Sequence, residues 1–433
     1  MKIHFIGIGG IGLSALARIL KHDGHTVSGS DIKETPLTQA LKKEGICVTI
    51  PHHESAITHQ DIVIYSAAVK QCNVEIIEAA KHNIETLSRK EALRIVLSDK
   101  KNYCVAGAHG KSTTTAILAS ILQSSALIGA ISKEFDSNFR YVNNLVAFEA
   151  DESDGSFLLS NPYCAIVTNA EPEHMEYYQH DLKRFYNAYG QFLQMAKVRV
   201  INAEDEFLAS LHDLDAIRLY PSKDIKEIAF TLKNGEPYTS FELKDLGHFE
   251  VWGFGHHIAL DASLAILAAL HEIGLDDIKA NLAKYKGIKK RFDIVQKTNG
   301  LVVIDDYAHH PTEIRATIKS VSLYSNLKNM NKTVVIWQPH KYSRTIDNLA
   351  EFKECFKGCD ELIILPVYSA GESEIAINFQ QEFEKYNPIF AQKIVSTVGK
   401  VEIIDANNCV LKSYTHGLIV GVGAGDITYQ LRP

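Results

Sequence analysis

The sequence predicts an α/β protein of three domains, each built on a parallel sheet. Three observations carry this reading. Apolar runs of strand length alternate with segments of helical period almost throughout the 433 residues, the pattern that strands joined by crossover helices produce. A glycine loop, Gly7-Ile8-Gly9-Gly10-Ile11-Gly12, separates the strand-like Ile3-His4-Phe5-Ile6 from a helix-like segment at 13–22. A second loop, Gly107-Ala108-His109-Gly110-Lys111-Ser112-Thr113, follows the apolar Tyr103-Cys104-Val105-Ala106 and precedes a helix-like segment at 115–122.

Composition narrows the class. With 46% hydrophobic and 22% charged residues the chain has the make-up of a soluble globular protein, and its net charge of −7 leaves no basic field to hold a nucleic-acid backbone. The sequence shows no signal peptide and no run of about 18 apolar residues, so a cytoplasmic protein without a membrane partner is expected. Seven scattered cysteines, at 47, 72, 104, 164, 355, 359 and 409, fit a reducing compartment and buried thiols. Only Cys355 and Cys359 lie close together, and their surroundings read as a helix and not as a zinc site.

In the first block the strand after the glycine loop, Thr26-Val27-Ser28-Gly29-Ser30, ends at Asp31. The glycines let the backbone approach a diphosphate, and Asp31 is placed to bond a ribose or a base. A strand at 61–65 ends at Ser66-Ala67-Ala68, and His53 lies in the turn His52-His53-Glu54. These are turn residues within reach of the same nucleotide. Tight strand–helix packing is the plainer reading of the loop, and a nicotinamide-dependent oxidoreductase is the rival. The second phosphate loop weighs against that rival, because two diphosphate cradles imply two nucleotides.

In the second block the loop aims backbone N–H groups and a helix N-terminus at anionic phosphates. Lys111 adds a point charge near the outer phosphates, and Ser112 offers a hydroxyl to a bridging magnesium. Only two residues stand between Gly107 and Gly110, not the usual four, so a glycine turn with a solvated lysine is the alternative. A strand at 145–148 runs into Glu149-Ala150-Asp151-Glu152-Ser153-Asp154, where four crowded acids call for a cation. A strand at 165–168 runs into Asn169-Ala170-Glu171-Pro172-Glu173-His174. His174 is placed to bind a second magnesium or a phosphate, with an ordinary surface role as the alternative. Residues 220–255 read as an antiparallel edge of this second domain.

The third block opens on a strand at 301–306, followed by further strands at 333–337, 361–365 and 418–421. The first runs into Asp306-Tyr307-Ala308-His309-His310-Pro311, where Pro311 starts a helix with Thr312 and Glu313 in its first turn. The second runs into Gln338-Pro339-His340-Lys341-Tyr342-Ser343-Arg344. Charged and aromatic groups at one sheet edge suit a small zwitterion or an anion; ordinary capping loops are the alternative.

Taken in this order, the two phosphate loops, the acidic strand end, Glu171-Pro172-Glu173-His174-Met175, Arg291-Phe292-Asp293, the clusters at 305–313 and 338–344, and Val367-Tyr368-Ser369-Ala370-Gly371-Glu372 resemble the Mur ligases over essentially the whole chain. The resemblance implies a Rossmann-like UDP-sugar domain at 1–97, a central ATP-binding P-loop domain at 98–291 and a Rossmann-like amino-acid-binding domain at 292–433. It implies an ATP- and Mg2+-dependent amide ligase of peptidoglycan synthesis, a monomer or homodimer. Such an enzyme joins L-alanine to the lactyl carboxylate of UDP-N-acetylmuramate through an acyl phosphate. Phosphorylation gives a poor electrophile a leaving group, and two anions that must meet require magnesium and cationic side chains.

By the same resemblance Gly107, His109, Gly110, Lys111, Ser112 and Thr113 hold ATP, and Arg291 and Asp306 border it. Ser112 and Glu152 hold one magnesium and His174 a second. Gly9, Gly10, Ile11, Asp31 and Ser66 take the UDP-sugar, and Tyr307, His309, His340, Lys341 and Arg344 frame the amino acid. Lys111, Glu152, His174, His309 and Arg344 form the catalytic set, and the three domains are expected to close around the substrates.

Some positions depart from the family pattern. Ala108 and Ser112 stand where threonine is usual, Ala308 where glycine is usual, and Lys341 where arginine is usual, which removes a bidentate fork. The adenine-contacting stretch, usually Gly-x-His-Asn-x-x-Asn, reads Gly255-His256-His257-Ile258-Ala259-Leu260-Asp261 and lacks both asparagines. Adenine recognition is therefore expected to differ. The segment between the phosphate-loop helix and Asn144 is short for the family. A related ligase that attaches murein tripeptide is the nearest alternative, and the motifs at 339–344 and 368–372 favour alanine. A non-catalytic UDP-sugar sensor is disfavoured by Lys111, Glu152 and His174.

Overall fold

Strand Lys2–Ile6, buried from Ile3 onward, sits at the centre of a five-stranded sheet. The computed structural model describes residues 1–298 and 300–433. The sheet is ordered Cys47–Thr49, Thr26–Ser30, Lys2–Ile6, Ile62–Tyr65, Glu85–Ser88, and every neighbouring pair is parallel. The winding reverses at the first strand, so a crevice opens between the loops that follow Ile6 and Tyr65. Helix Ile11–His22 buries Leu13, Leu16, Ile19 and Leu20. Close packing fixes Gly29: a Cβ there would lie 2.5 Å from the Ile8 side chain and 2.8 Å from the Phe5 carbonyl oxygen.

The same solution recurs in a seven-stranded sheet ordered Ile217–Leu219, Val198–Asn202, Pro162–Val167, Lys101–Ala106, Leu145–Glu149, Ser125–Ser132, Ser137–Arg140. All neighbours are parallel except the last pair. Lys101–Ala106 is the inner strand at which the winding reverses, which puts the loops after it, after Glu149 and after Val167 on one edge. Helix Lys111–Leu122 is buried from Thr114 to Leu122. Both sheets belong to one compact unit, Met1–Asp224 with Asp261–Tyr285.

A second unit comprises Ile225–Leu260 and Lys286–Pro433. Its main sheet is ordered Asp293–Lys297, Leu301–Asp306, Gly417–Val422, Thr333–Trp337, Glu361–Ile364, Ile389–Phe390, and only the first pair is antiparallel. A three-stranded antiparallel sheet, Lys393–Thr397, Lys400–Ile404 and Val410–Tyr414, adds a layer with Ile394, Val401 and Ile403 buried.

Two expectations are corrected. Residues 220–255 are not an edge of the second sheet. Strands Ile225–Lys233, Glu236–Leu243 and His248–Trp252 form a separate antiparallel sheet, and none pairs with the seven-stranded one. Every second residue of Glu236–Leu243 is buried, so the strand needs a packing layer on one face. Partners in the same unit include helix Pro311–Lys328, whose Ser320 hydroxyl donates to the Phe254 carbonyl at 2.9 Å and whose Tyr324 hydroxyl donates to the Gly235 carbonyl at 3.1 Å. The cysteines also differ from expectation. Helix Leu349–Phe352 ends before Cys355 and Cys359, and although Cys104, Cys164 and Cys355 are buried, Cys47, Cys72 and Cys409 are exposed. Cys47 lies on an edge strand, which leaves it outside the packed faces. Among the described residues no helix is long and apolar enough to cross a membrane.

Substituting Gly29→Ala forces a methyl group against the Phe5 carbonyl and Ile8. It is expected to cost about 1–3 kcal/mol by overpacking, measured as a lower unfolding midpoint; an unchanged midpoint would show that the strand relaxes freely.

Candidate active site

At the edge of the first sheet the backbone is held by its own polar groups. The N–H groups of Gly7 and Ile8 donate to the Ser30 carbonyl at 2.9 and 3.0 Å. The Gly9 N–H donates to Asp31 Oδ2 at 2.8 Å, so Asp31 braces the loop as well as facing its edge. Gly7 has φ +80°, and a Cβ on it would lie 3.1 Å from the Ser66 side chain. Gly9, Asp31 and Ser66 are thus brought together, Gly10 caps helix Ile11–His22 and Ile11 is exposed. His53 caps the turn Glu54–Ala56 by accepting the Ser55 N–H at 3.1 Å.

The second loop is built more tightly. Gly107 has φ +141°, and a Cβ on it would lie 2.1 Å from Thr168 Oγ1, which donates to the His109 carbonyl at 2.6 Å. Asn169 brackets His109, accepting its N–H at 3.1 Å and donating to its carbonyl at 2.9 Å. The His109 ring reaches Glu171 at 3.0 Å, and the Asp261 carboxylate packs against Gly110. Lys111 Nζ donates to the carbonyls of Gly107 and Ala108 and, at 3.0 Å, to Glu152 Oε1. Thr113, half-buried like Lys111 and Ser112, is the last residue of the helix before its buried stretch.

The four acids divide by role. Asp151 and Asp154 accept the N–H groups of Ser153 and Ser156 at 3.0 and 2.9 Å and so cap turns. Glu149 accepts the Ser112 hydroxyl at 2.9 Å and the Gly129 N–H at 2.6 Å. Glu152 is 1% exposed, and its Oε2 has no hydrogen-bond partner among the described residues. Burial pushes its pKa up to about 7 against the pull of Lys111. Burial disfavours the Lys111 ammonium, but Glu152 and Glu149 more than compensate and raise its pKa. An oxygen-only donor set with one buried, unpartnered carboxylate oxygen fits a hard divalent cation. His174 is exposed, in left-handed backbone with φ +52°. It shares none of these bonds, although Tyr178, four residues on, donates to the Glu152 carbonyl at 2.6 Å.

A cavity of about 240 Å³ borders both edges, lined by Ile11, Gly12, Arg89, Asn138, Glu149 and Asp151. Sequence reasoning missed Arg89, Asn138 and the separate role of Glu149. Asn138 donates to the Ile11 carbonyl at 3.0 Å. Arg89 opens helix Arg89–Val96 behind a capping box of Ser88 and Glu91; that signal marks the helix start, and nothing in it marks the cavity.

In the second unit, Asp306 is buried and accepts the N–H groups of Phe292 and Ala308 at 2.8 and 2.9 Å. It therefore braces the turn that carries Arg291. The Arg291 guanidinium donates to Glu313 at 3.2 Å and lies 5.7 Å from the Tyr307 ring centre. His309 Nδ1 donates to the Tyr307 carbonyl at 3.0 Å, leaving Nε2 as the lone-pair nitrogen. Arg344 donates to His340 Nδ1 at 3.2 Å, so His340 has the opposite tautomer. The two imidazoles meet edge to face at 5.9 Å, and Tyr368 stacks on His340 at 5.5 Å. Burial is the main cause that pushes both pKa values down to about 4, so both rings are neutral at pH 7. Lys341 starts helix Tyr342–Asp347 from a positive φ of 68°. Sequence reasoning quoted Tyr368 only within a motif; its stacking on His340 is a tertiary fact.

Residues 2–101 match the Mur ligase family, catalytic domain; residues 105–269 match the Mur ligase middle domain; residues 290–412 match the Mur ligase, glutamate ligase domain. The chain belongs to the Mur ligase family. Mur ligases are ATP-dependent ligases with a nucleotide-binding domain, and their three α/β domains are the fold class that the sequence predicts. A UDP-N-acetylmuramate–L-alanine ligase of Campylobacter curvus is 58% identical over 432 residues, covering 100% of this chain and 99% of its own. One of Helicobacter pylori strain P12 is 56% identical, covering 100% and 96%. Among solved structures, the UDP-N-acetylmuramate-alanine ligase of Thermotoga maritima matches with TM-score 0.79 and 28% identity, covering 99% of this chain and 97% of its own. A murein peptide ligase of Psychrobacter arcticus shares the fold, with TM-score 0.63 and 20% identity over 99% and 97%.

Asp306 provides a pH test. Burial raises its pKa from 3.8 to about 6, so its contribution to folding is full below about pH 4 and is lost as pH rises through 6. Asp306→Asn removes that titration. The unfolding midpoint of the variant is expected to gain on that of the parent between pH 4 and pH 7, whereas a difference independent of pH would contradict the assignment.

Proposed function

We propose that this Mur ligase joins L-alanine to the lactyl carboxylate of UDP-N-acetylmuramate with hydrolysis of ATP to ADP and phosphate, a step of peptidoglycan synthesis. Full-length relatives of that name support the substrate pair. The observation that carries the chemistry is the cavity that borders both the glycine loop and the acids of the phosphate loop. Two anions, a sugar carboxylate and a γ-phosphate, have a shared space there, walled by Arg89 and by Glu149 and Asp151, the acids that act on the Lys111 charge.

In this reading the N–H groups of the loop 107–113 and Lys111 bind the ATP phosphates, while Gly9, Gly10, Asp31 and Ser66 bind the uridine diphosphate. Ser112 and Glu152, with Glu149 beside them, would hold a magnesium ion and His174 a second; the metal supplies neutralisation of phosphate charge. A carboxylate oxygen attacks the γ-phosphorus and ADP leaves. The alanine amine, having lost a proton, then attacks the acyl carbon, and phosphate departs with the oxygen that came from the carboxylate. Arg344 offers its guanidinium to the alanine carboxylate, the neutral rings of His309 and His340 admit the alanine ammonium without charge repulsion, and the lone pair on His309 Nε2, or water, takes the proton it loses. His257 stands in the stretch where the family asparagines are absent, and desolvation and the nearby Arg291 push its pKa down to about 4.

The test is phosphate release from MgATP with UDP-N-acetylmuramate and, in turn, L-alanine, glycine, L-serine or murein tripeptide, with GTP as a parallel donor. Release that needs both UDP-N-acetylmuramate and L-alanine is expected. Release with tripeptide alone would move the chain to the recycling ligases, and NAD binding without phosphate release would overturn the reading. Lys111→Ala is expected to lower kcat by about 100- to 1,000-fold with little change in the KM for the UDP-sugar. Arg344→Ala is expected to raise the KM for alanine about tenfold or more through loss of a charge-assisted contact.

A further inference from the structure

Glu75 is completely buried and belongs to none of the bonds described above. It lies in the first turn of helix Val74–Lys81, where the Asn73 side chain accepts its N–H at 2.9 Å. Its carboxylate gathers three segments of chain. Oε2 accepts the Ser30 hydroxyl and lies 3.2 Å from Nε2 of His4, itself 1% exposed. Oε1 accepts the His53 N–H at 2.9 Å and lies 3.8 Å from His52 Nδ1. His52 Nδ1 closes the ring at 2.8 Å from Ser30 Oγ, and His4 Nδ1 is tied to Ser28 Oγ at 2.9 Å. Burial raises the Glu75 pKa, but the bonds from His4, Ser30 and the His53 N–H lower it by more, so the group is a carboxylate at neutral pH.

A buried carboxylate adds little net stability to a core that apolar side chains could fill, and removing one partner leaves the others unpaired. Its use follows from where its partners lead. Ser30 is the residue whose carbonyl holds the Gly7 and Ile8 N–H groups, and Asp31 beside it holds the Gly9 N–H. His53 opens the neighbouring turn at the carboxyl edge of the same sheet. We infer that Glu75 is a positioning residue for the UDP-sugar, locking the Asp31 loop and the His52-His53 turn in register with the glycine loop. This rests on the reading of the glycine loop as the UDP-sugar site.

The test measures the Kd of UDP-N-acetylmuramate by calorimetry, with kcat and the KM of all three substrates, for the parent, Glu75→Gln, Ser30→Ala and the double variant. Glutamine keeps the volume but cannot accept the Ser30 and His53 donors on both of its terminal atoms. In Glu75→Gln the Kd and KM for the UDP-sugar are expected to rise about tenfold or more, and less in Ser30→Ala. The KM values for ATP and alanine and kcat should stay within about twofold, and the double variant should fall short of the product of the singles. An unchanged Kd, or an equal rise for all three substrates, would overturn the inference. If Glu75→Gln does not fold, the same criterion applies to Ser30→Ala. A parent that binds NAD and not the UDP-sugar would overturn the site reading itself, and the inference with it.

Discussion

The pairing of Lys111 with Glu152 at the start of a buried helix is the interaction on which the catalytic edge depends. Lys111 turns back onto the carbonyls of its own loop and meets a carboxylate that water hardly reaches. Such a pair contributes little to stability, because desolvation offsets the attraction. One oxygen of Glu152 stays without a partner among the described residues, so the structure holds an unmet demand for positive charge beside the loop 107–113 and the start of its helix. The surrounding bonds keep that demand localised. Asp151 and Asp154 each cap a turn through one oxygen and Glu149 is occupied by Ser112 and Gly129, and among the described residues Glu152 is the one of the four acids with a buried oxygen that has no partner.

The loops can be this tight because the strands beneath them are rigid. Each of the two large sheets of the first unit has an inner strand, buried from its second residue onward, at which the winding reverses, and the loops flanking that reversal face one crevice. Contacts such as Gly7 on Ser66 and Gly107 on Thr168 leave no room for a side chain. Beneath the first edge lies a polar knot centred on Glu75; beneath the second, Thr168 and Asn169 grip the carbonyl of His109. Backbone groups are thereby held in one arrangement, the condition for preorganised binding of anions.

The parts legible in the sequence are those governed by local rules. A buried parallel strand reads as a continuous apolar run, and a glycine at its end reads as a close approach; the tight turns after Ile6 and Ala106 and the helix start at Pro311 are legible for these reasons. The sheet at Ile225–Trp252 was read as part of the wrong layer because alternation shows which face of a strand is buried and not what covers it. Strands Lys393–Thr397 and Lys400–Ile404 carry the same alternation around Gly399 and could have been found by it. The split of the acidic run into two caps and two site carboxylates, the approach of Arg89 to the cavity and the stacking of Tyr368 on His340 depend on chain segments far apart in sequence. No local pattern encodes them.

In the proposed reaction the carboxylate of the sugar is activated by phosphoryl transfer in the cavity walled by Arg89, Glu149 and Asp151. The most direct measurement is turnover with UDP-N-acetylmuramate carrying ¹⁸O at both oxygens of its lactyl carboxylate, followed by mass analysis of the released phosphate. If the account is right, each phosphate carries one ¹⁸O, because the carboxylate oxygen that attacks phosphorus leaves with it when the amine attacks carbon. Phosphate free of ¹⁸O, formed together with the amide product, would show that ATP is cleaved without joining the carboxylate and would contradict the account.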